Sequence, residues 1–179
     1  KNDEIIVPDY TFVSPINSII HSNCKPVLSD IDLETLCISF ESFKKAVSKR
    51  TKALILVHLY GNSPELQKIL NFCKKKNIKI IEDCAEGFGT KYKKVHVGNF
   101  GDFGTFSFFG NKTISTGEGG MIIFKKRKDY VLAKKLRDHG MSYKKKYWHD
   151  EIGFNFRLTN IQAAVGCAQL ENANKFIKR

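Results

Sequence analysis

Residues 53–59 read Ala-Leu-Ile-Leu-Val-His-Leu, and six of these seven side chains are apolar. A run this short and this apolar is typical of a strand that is covered on both faces, as in a parallel sheet. On both sides of it along the chain, other short apolar runs alternate with segments of helical periodicity. Alternating strands and helices predict an α/β fold, a three-layer sandwich with a mostly parallel mixed sheet in the middle layer.

The remaining elements follow from periodicity and from helix and turn signals. Predicted strands cover residues 4–7, 26–31, 53–59, 78–81, 104–108 and 120–124. Predicted helices cover residues 13–22, 40–48, 63–76 and 129–138, and a last one follows Thr159. For the third helix, Ser63-Pro64-Glu65 indicates a start with serine as the cap and proline in the first position. No internal repeat or linker is visible, so we predict one domain over residues 1–179.

Composition limits the function classes. The chain has 30 Lys and Arg residues against 18 Asp and Glu residues, a net charge of +12. The lysines are scattered in pairs and triplets without one basic arm, which favours a solvated surface over a nucleic-acid site. The five cysteines are widely spaced and form no CxxC, so we expect reduced thiols in a cytoplasmic protein and neither a disulfide framework nor a zinc site. No apolar run approaches the length of about 20 residues that a membrane span needs.

Both ends of the sequence suggest a piece of a longer protein. The first residue is lysine and not methionine, and residues 163–179 have the pattern of an unfinished helix. We therefore expect that further segments belong to the natural protein.

Two strand ends have unusual chemistry. Asp83 follows the apolar run at residues 78–81, and residues 105–120, TFSFFGNKTISTGEGG, place Lys112 among glycines and hydroxyl side chains. Ligands of open α/β sheets gather at the carboxyl ends of strands. A lysine can form an imine, and a carboxylate can pair with a cationic ring nitrogen. Together with donors for a phosphate, these are the groups that pyridoxal 5'-phosphate (PLP) requires.

Three motifs resemble one family. They are IEDCAEGFG at residues 81–89, SFFGNKTISTGEGGM at residues 107–121 and YWHDEIGFNFRLTNIQAA at residues 147–164. In this order they are similar to the DegT-type sugar aminotransferases, which are fold-type I PLP enzymes. The resemblance covers the whole chain but only the middle half of a family member. It implies that the chain is the PLP-binding large domain, without an N-terminal phosphate-contacting segment and a C-terminal small domain.

The resemblance implies roles for four residues. Lys112 matches the lysine that holds the cofactor as a Schiff base and later moves protons between cofactor and substrate. Asp83 matches the carboxylate on the pyridine nitrogen. Ser107 matches a phosphate contact, and Phe12 in PDYTFVS matches the aromatic residue that stacks on the ring.

Two further matches raise questions of their own. Glu86 occupies a position near the cofactor's 3-hydroxyl that is more often Gln or His. Because an ionised Glu would repel a phenolate, Glu86 either shares a proton or points elsewhere. Asn155 matches an asparagine that reaches the phosphate in the neighbouring subunit, which implies a homodimer.

Within the family, the likeness is greatest to enzymes that use glutamate to aminate the 4-keto carbon of GDP-4-keto-6-deoxymannose for the O-antigen of lipopolysaccharide. A related dehydratase subgroup has histidine in place of the lysine, so Lys112 favours amine transfer. The alternatives are another nucleotide-linked sugar (a 3-keto sugar, or a UDP- or dTDP-linked 4-keto sugar) and a non-catalytic, basic nucleic-acid-binding domain. The Asp30-Ile31-Asp32 sequence and the five histidines do not predict a metal site.

Overall fold

The computed structural model describes residues 2–178 and is centred on a six-stranded sheet. Its strands are β1 (Glu4–Pro8), β2 (Lys25–Ser29), β3 (Thr51–Val57), β4 (Lys79–Asp83), β7 (Phe103–Ser107) and β8 (Gly120–Phe124), and a small hairpin consists of β5 (Lys91–Tyr92) and β6 (Val95–His96). The order in the large sheet is β2-β1-β3-β4-β7-β8. All neighbours are parallel except β7 and β8, which are antiparallel. The predicted mixed, mostly parallel sheet is confirmed, whereas the predicted domain bounds at residues 1 and 179 lie outside the described residues.

Helices connect the strands and cover both faces of the sheet. They are α1 (Val13–His21), α2 (Phe40–Ala46), α3 (Leu66–Lys76), α4 (Arg127–Arg137), α5 (Asn160–Glu171) and α6 (Ala173–Ile177). Side-chain caps are present at the start of two of these helices. Ser39 accepts the backbone N–H of Ser42 at the start of α2, and Thr159 forms a capping box with Gln162 at the start of α5.

The alternation of side chains along β3 builds two separate cores. Leu54 and Leu56 are fully buried in a cluster with residues of α2 and α3. Ile55 and Val57 point to the opposite face, where they pack in a cluster with Ile19 of α1. Because successive strand residues face opposite sides, one apolar strand anchors helices on both faces. The predicted three-layer arrangement is therefore confirmed.

The predicted start of α3 is wrong. The helix begins at Leu66, and its N-cap is Glu65, whose backbone (φ −64°, ψ 62°) is not helical. Pro64 therefore precedes the helix, and its carbonyl accepts the N–H of Leu66 in a tight turn. The hydroxyl of Ser63 is buried and makes no hydrogen bond among the described residues, so it does not cap α3.

A third cluster holds the segment between β7 and β8. Phe108 and Ile114 are buried against Ala173 of α6, and Phe176 of the same helix packs beside them. The loop that bears Lys112 is therefore fixed by apolar contacts on both of its sides. Along residues 2–178, the helices are all too short or too polar to cross a lipid bilayer.

Candidate active site

The carboxyl ends of four parallel strands lie at the same edge of the sheet. Phe12 follows β1, Tyr60 follows β3, Asp83 is the last residue of β4, and Ser107 is the last residue of β7. In an open α/β sheet this edge is where ligands bind. The topology therefore brings three of the predicted residues to one edge, and Lys112 follows β7 there.

Asp83 presents a partly buried carboxylate at this edge. Its Oδ1 accepts the backbone N–H of Ala85 at 3.0 Å. Burial raises the pKa of Asp83, and the hydrogen bond from Ala85 and the charges of Lys112 and His58 lower the pKa without cancelling that effect. A carboxylate that pays a desolvation cost is well placed to bind a cationic group, which would offset that cost.

Lys112 lies in the loop between β7 and β8 and turns its amine toward Glu86. The distance from Lys112 Nζ to Glu86 Oε1 is 3.6 Å, and the lysine side chain is only 19% exposed. Most lysines on this surface are solvated, so an amine withdrawn from water among polar groups is unusual. Its charge also lowers the pKa of Asp83, which places the two groups within electrostatic reach of each other. The structure therefore brings Lys112 and Glu86 together, and Asp83 ends the strand that precedes Glu86.

Glu86 also binds the turn that follows β3. Its Oε2 accepts the backbone N–H of Tyr60 at 2.9 Å, so both carboxylate oxygens are directed at neighbours of the edge. Tyr60 has a left-handed backbone (φ 51°, ψ 28°), which is strained for a tyrosine, and its hydroxyl lies 3.4 Å from that of Tyr10. Sequence reasoning missed Tyr60. A tyrosine before a glycine directly after a buried strand was the available signal.

Ser107 and Phe12 are both free to contact a ligand. Ser107 Oγ accepts the backbone N–H of Phe109 at 3.3 Å, which leaves its own O–H available as a donor. Phe12 is 74% exposed at the N-terminus of α1 and makes no core contact of the kind that a structural aromatic residue would make. An exposed ring at a strand end is available to cover one face of a ligand.

Asn155 belongs to a different segment of the chain, which precedes α5. It is exposed, and its backbone forms an antiparallel bridge with Asp138 near the end of α4. Within residues 2–178, no hydrogen bond or ion pair joins its side chain to the residues at the carboxyl edge. Its predicted role toward a neighbouring subunit stays a prediction.

Behind the edge lies a buried pair that sequence reasoning did not single out. His58, just after β3, has 0% exposure; its Nδ1 lies 3.2 Å from the carbonyl of Asn62, and its Nε2 lies 3.0 Å from Glu82 Oε2. Glu82 also accepts backbone N–H groups of Gly98, Phe100 and Gly101. The sequence signal that was available for this pair is a polar side chain at the end of each buried strand: His58 within residues 53–59 and Glu82 directly after Ile81.

His58, Glu82 and Cys84 form the one group in the described part of the chain with spacing suited to a metal ion. The oxygens of Glu82 are already used by four donors. Burial, the main cause, raises the pKa of the Cys84 thiol, which disfavours the thiolate that a metal would need. We therefore interpret the cluster as a hydrogen-bonded pair beside a buried thiol.

Known proteins resemble the whole chain. GDP-perosamine synthase from Escherichia coli O157:H7 is 45% identical over 179 residues, which are 100% of this chain and 49% of that protein. GDP-perosamine synthase from Vibrio cholerae is 43% identical over 180 residues, which are 99% of this chain and 48% of that protein. The chain thus spans about half the length of the curated relatives that it matches.

A solved structure shares the architecture. The E. coli GDP-4-keto-6-deoxy-D-mannose-3-dehydratase with bound hydrated PLP superposes with a TM-score of 0.94 at 30% identity, over 99% of this chain and 50% of that one. These likenesses do not favour the alternative of a nucleic-acid-binding domain. The profile of the DegT/DnrJ/EryC1/StrS aminotransferase family matches residues 1–179, and the chain therefore belongs to that family.

Proposed function

We propose that this chain is the cofactor-binding domain of a PLP-dependent aminotransferase that moves an amino group from glutamate to the 4-keto carbon of a nucleotide-linked 4-keto-6-deoxyhexose. The observation that carries the proposal is the ion pair of Lys112 with Glu86 at the carboxyl edge of the sheet, where Asp83 ends β4. Family membership supports the reaction class. The identity to GDP-perosamine synthases, 45% and 43%, supports GDP as the nucleotide.

The residues present at the edge fit PLP. Within the described residues, the Oδ2 atom of Asp83 makes no hydrogen bond, so it is available to a protonated ring nitrogen. The O–H of Ser107 is available to a phosphate oxygen, and Phe12 offers an exposed ring to one face. Lys112 supplies the amine that would hold the cofactor. The ring nitrogen, one phosphate oxygen, one ring face and the carbon that forms the imine thus each have a candidate partner in this chain.

PLP, when bound, would accept the electrons that are released when a bond at the substrate carbon breaks. Asp83 would keep a proton on the ring nitrogen, because its ionised carboxylate stabilises the positive charge there. Lys112 Nζ would take a proton from one carbon and deliver it to another, acting as general base and then as general acid. Glu86 would orient that amine by its ionic contact at 3.6 Å. Phe12 would hold the ring in place by stacking.

Four finer features belong to the same proposal. Glutamate is the amino donor, the protein is a homodimer in which Asn155 contacts the cofactor phosphate of the partner subunit, and it works in the cytoplasm. The sugar product enters lipopolysaccharide O-antigen. The likeness of three GDP-perosamine synthases at 43–45% identity supports the 4-keto substrate over a 3-keto sugar. The UDP-N-acetyl-3-dehydro-α-D-glucosamine 3-aminotransferase from Acidithiobacillus ferrooxidans is less similar to this chain, at 36% identity.

The proposed amine transfer must be distinguished from dehydration, because the E. coli dehydratase has the same fold as this chain. The two superpose with a TM-score of 0.94. Lys112 supports amine transfer, since the resemblance places histidine at this position in the dehydratase subgroup. A basic amine can both hold the cofactor and return a proton to the aminated carbon, which transamination requires.

The test uses the full-length natural protein. It is reduced with borohydride in the presence of PLP, digested, and analysed by mass spectrometry, with Lys112→Ala and the exposed control Lys75→Ala. We expect the cofactor on the peptide that contains Lys112 in the wild type and in the control, and no such peptide in Lys112→Ala. The reduced cofactor on any other lysine would overturn the assignment.

The reaction is tested with a panel of GDP-, UDP- and dTDP-linked 3-keto and 4-keto sugars. With L-glutamate present, we expect 2-oxoglutarate and a 4-amino sugar to form in equal amounts, fastest with the GDP-linked 4-keto-6-deoxyhexose. Release of a deoxygenated sugar without an amino group would show dehydration instead. Retention of RNA at low salt without turnover of any sugar would support a nucleic-acid-binding domain.

A further inference from the structure

His58 is enclosed by two hydrogen-bond acceptors. The carbonyl of Asn62 lies 3.2 Å from Nδ1, and Oε2 of Glu82 lies 3.0 Å from Nε2. A carbonyl oxygen can only accept, so Nδ1 must carry a proton to make this hydrogen bond. The protonation of Nε2 then depends on the state of Glu82.

The surroundings of Glu82 indicate a carboxylate. Three backbone N–H groups donate to it, those of Gly98 at 2.8 Å, Phe100 at 2.7 Å and Gly101. Burial raises the pKa of Glu82, but the hydrogen bonds from His58, Gly101 and Gly98 outweigh it and lower the pKa below the ordinary value. An acceptor-only carboxylate requires a donor at Nε2. Both ring nitrogens of His58 then carry protons.

This pair touches the strand end that bears Asp83. The backbone N–H of His58 donates to the backbone carbonyl of Asp83 at 2.9 Å, and Glu82 is the residue directly before Asp83. His58 thus ties the end of β3 to the end of β4 by its backbone and by its ring. The titratable groups around the ring are Glu82, Asp83 and Cys84. Among them, the positive charge of His58 acts favourably on the ionised form of Asp83.

We infer that His58 is a positioning residue for Asp83, a buried imidazolium that is held by Glu82 and the carbonyl of Asn62 and that fixes the end of β4, where Asp83 lies. This inference rests on the proposed function, because it assigns Asp83 to the ring nitrogen of PLP. His58 itself touches neither substrate nor cofactor. It acts through the backbone hydrogen bond to Asp83 and through its charge.

The charge of the pair has a specific consequence. The pair of His58 and Glu82 would have no net charge. Its positive member, His58, would nevertheless lie next to the backbone of Asp83. The ionised Asp83, which burial disfavours, gains stabilisation that a neutral ring could not provide. A histidine that only filled space could be replaced by a neutral side chain of similar size without a change in the ionisation of Asp83.

The first test measures the protonation of the ring directly and needs no activity. The full-length protein is labelled with 15N-histidine, and the His58 signals are identified by their loss in His58→Asn. Because each ring nitrogen of His58 faces an acceptor, we expect both to show the shifts of protonated nitrogens in the folded protein. A shift typical of an unprotonated nitrogen at Nδ1 or at Nε2 would overturn the inference. This result would count against it even if the labelling test shows PLP bound to Lys112.

The second test uses His58→Gln, which keeps a hydrogen-bond donor and removes the charge, with Val57→Ala as the control for lost packing beside it. We expect His58→Gln to lower kcat about tenfold, to change the KM for the sugar less than about twofold, and to move the acidic limb of kcat/KM and of the cofactor absorbance to higher pH. The direction follows because loss of a positive charge raises the pKa of Asp83. Val57→Ala should leave both limbs in place.

If His58→Gln folds and neither acidic limb moves, His58 has a purely structural role and the inference is overturned. If His58→Gln does not fold, the 15N measurement on the wild type decides. Failure of the proposed function would instead appear as a Lys112 peptide without cofactor.

Discussion

Lys112 and Glu86 form an ion pair that links two loops of the carboxyl edge, with 3.6 Å between Nζ and Oε1. The other oxygen of Glu86 accepts the N–H of Tyr60, so the carboxylate also reaches the turn after β3. This geometry bears on the question that the sequence raised about Glu86. In this structure its charge is directed at the lysine amine and at a backbone donor, which are both partners for an ionised carboxylate.

Glu86→Gln should move the acidic limb of the pH profile to lower pH. The carboxylate of Glu86 contributes to the raised pKa of Asp83, so a neutral glutamine lowers that pKa, while its amide oxygen can still accept the N–H of Tyr60. Loss of the contact that orients Lys112 should also reduce kcat about tenfold. The measurement is kcat/KM against pH, with exposed Glu171→Gln as the matched control. A limb that stays in place would mean that Glu86 does not act on Asp83.

Asp83→Asn should make the protein without cofactor more stable at neutral pH. The folded-state pKa of Asp83 is raised, mainly by burial, so between the ordinary value and the raised one the folded protein holds more protons than the unfolded chain. The free energy of unfolding therefore falls as pH rises through this window, and at neutral pH the ionised side chain is a cost to folding. Asparagine carries no such cost and can still accept the N–H of Ala85.

The melting temperature of the cofactor-free protein, measured from acidic to neutral pH, checks this expectation. The gain of Asp83→Asn over the wild type should be present at neutral pH and should vanish below the ordinary Asp pKa of about 3.9. The same substitution should lower kcat by at least about 100-fold, since the charge on the ring nitrogen loses its partner. An equal melting temperature at all pH values would contradict the burial cost assigned to Asp83.

The site was predictable from sequence where a residue follows its strand directly. Asp83 ends β4, and the apolar run before it placed it at the carboxyl edge. Ser107 ends β7, but it lay inside the predicted strand, and its candidate role came from the family resemblance. His58 and Tyr60 were not predictable in this way. Their partners, Glu82 and Glu86, are 24 and 26 residues distant along the chain, and only the parallel pairing of β3 with β4 brings them together.

The start of α3 shows the same limit in a local element. Ser63-Pro64-Glu65 satisfies the preferences of a helix start, yet the turn closed by Pro64 and Leu66 places the first helical residue later. Cap preferences describe which residues suit a position and not where the chain enters the helix from the preceding strand.

Gly104→Ala should strongly destabilise the domain. A Cβ on Gly104 would lie 2.2 Å from the carbonyl oxygen of Gly98 and 2.6 Å from its Cα, so backbone would have to move. Overpacking against a side chain costs about 1–3 kcal/mol, and a clash with backbone in the central sheet should exceed this range. Gly110→Ala is the control, because the nearest atom to its Cβ would be 4.0 Å away. Urea unfolding of the full-length variants measures both, and a Gly104→Ala protein as stable as Gly110→Ala would contradict the close approach of β7 to residue 98.

The proposed homodimer predicts that two damaged chains can restore activity when they are mixed. If the site uses Lys112 of one subunit and Asn155 of the other, Lys112→Ala and Asn155→Ala homodimers each carry the same defect in both sites. A hybrid dimer instead collects both defects in one site and leaves the second site intact. Random mixing of equal amounts makes about half of the dimers hybrids, so about a quarter of all sites should regain wild-type turnover.

The measurement is transaminase activity after the two variants are coexpressed with different affinity tags and purified on both tags. Hybrids isolated in this way should have about half of the wild-type activity per dimer, because one of their two sites is intact. The control pairs Lys112→Ala with tagged Lys112→Ala and should stay inactive. If the isolated hybrids are no more active than the Asn155→Ala homodimer, Asn155 does not act in the site of the partner subunit. It then serves the site of its own subunit or no site, because a site shared across the dimer would leave one intact site in every hybrid.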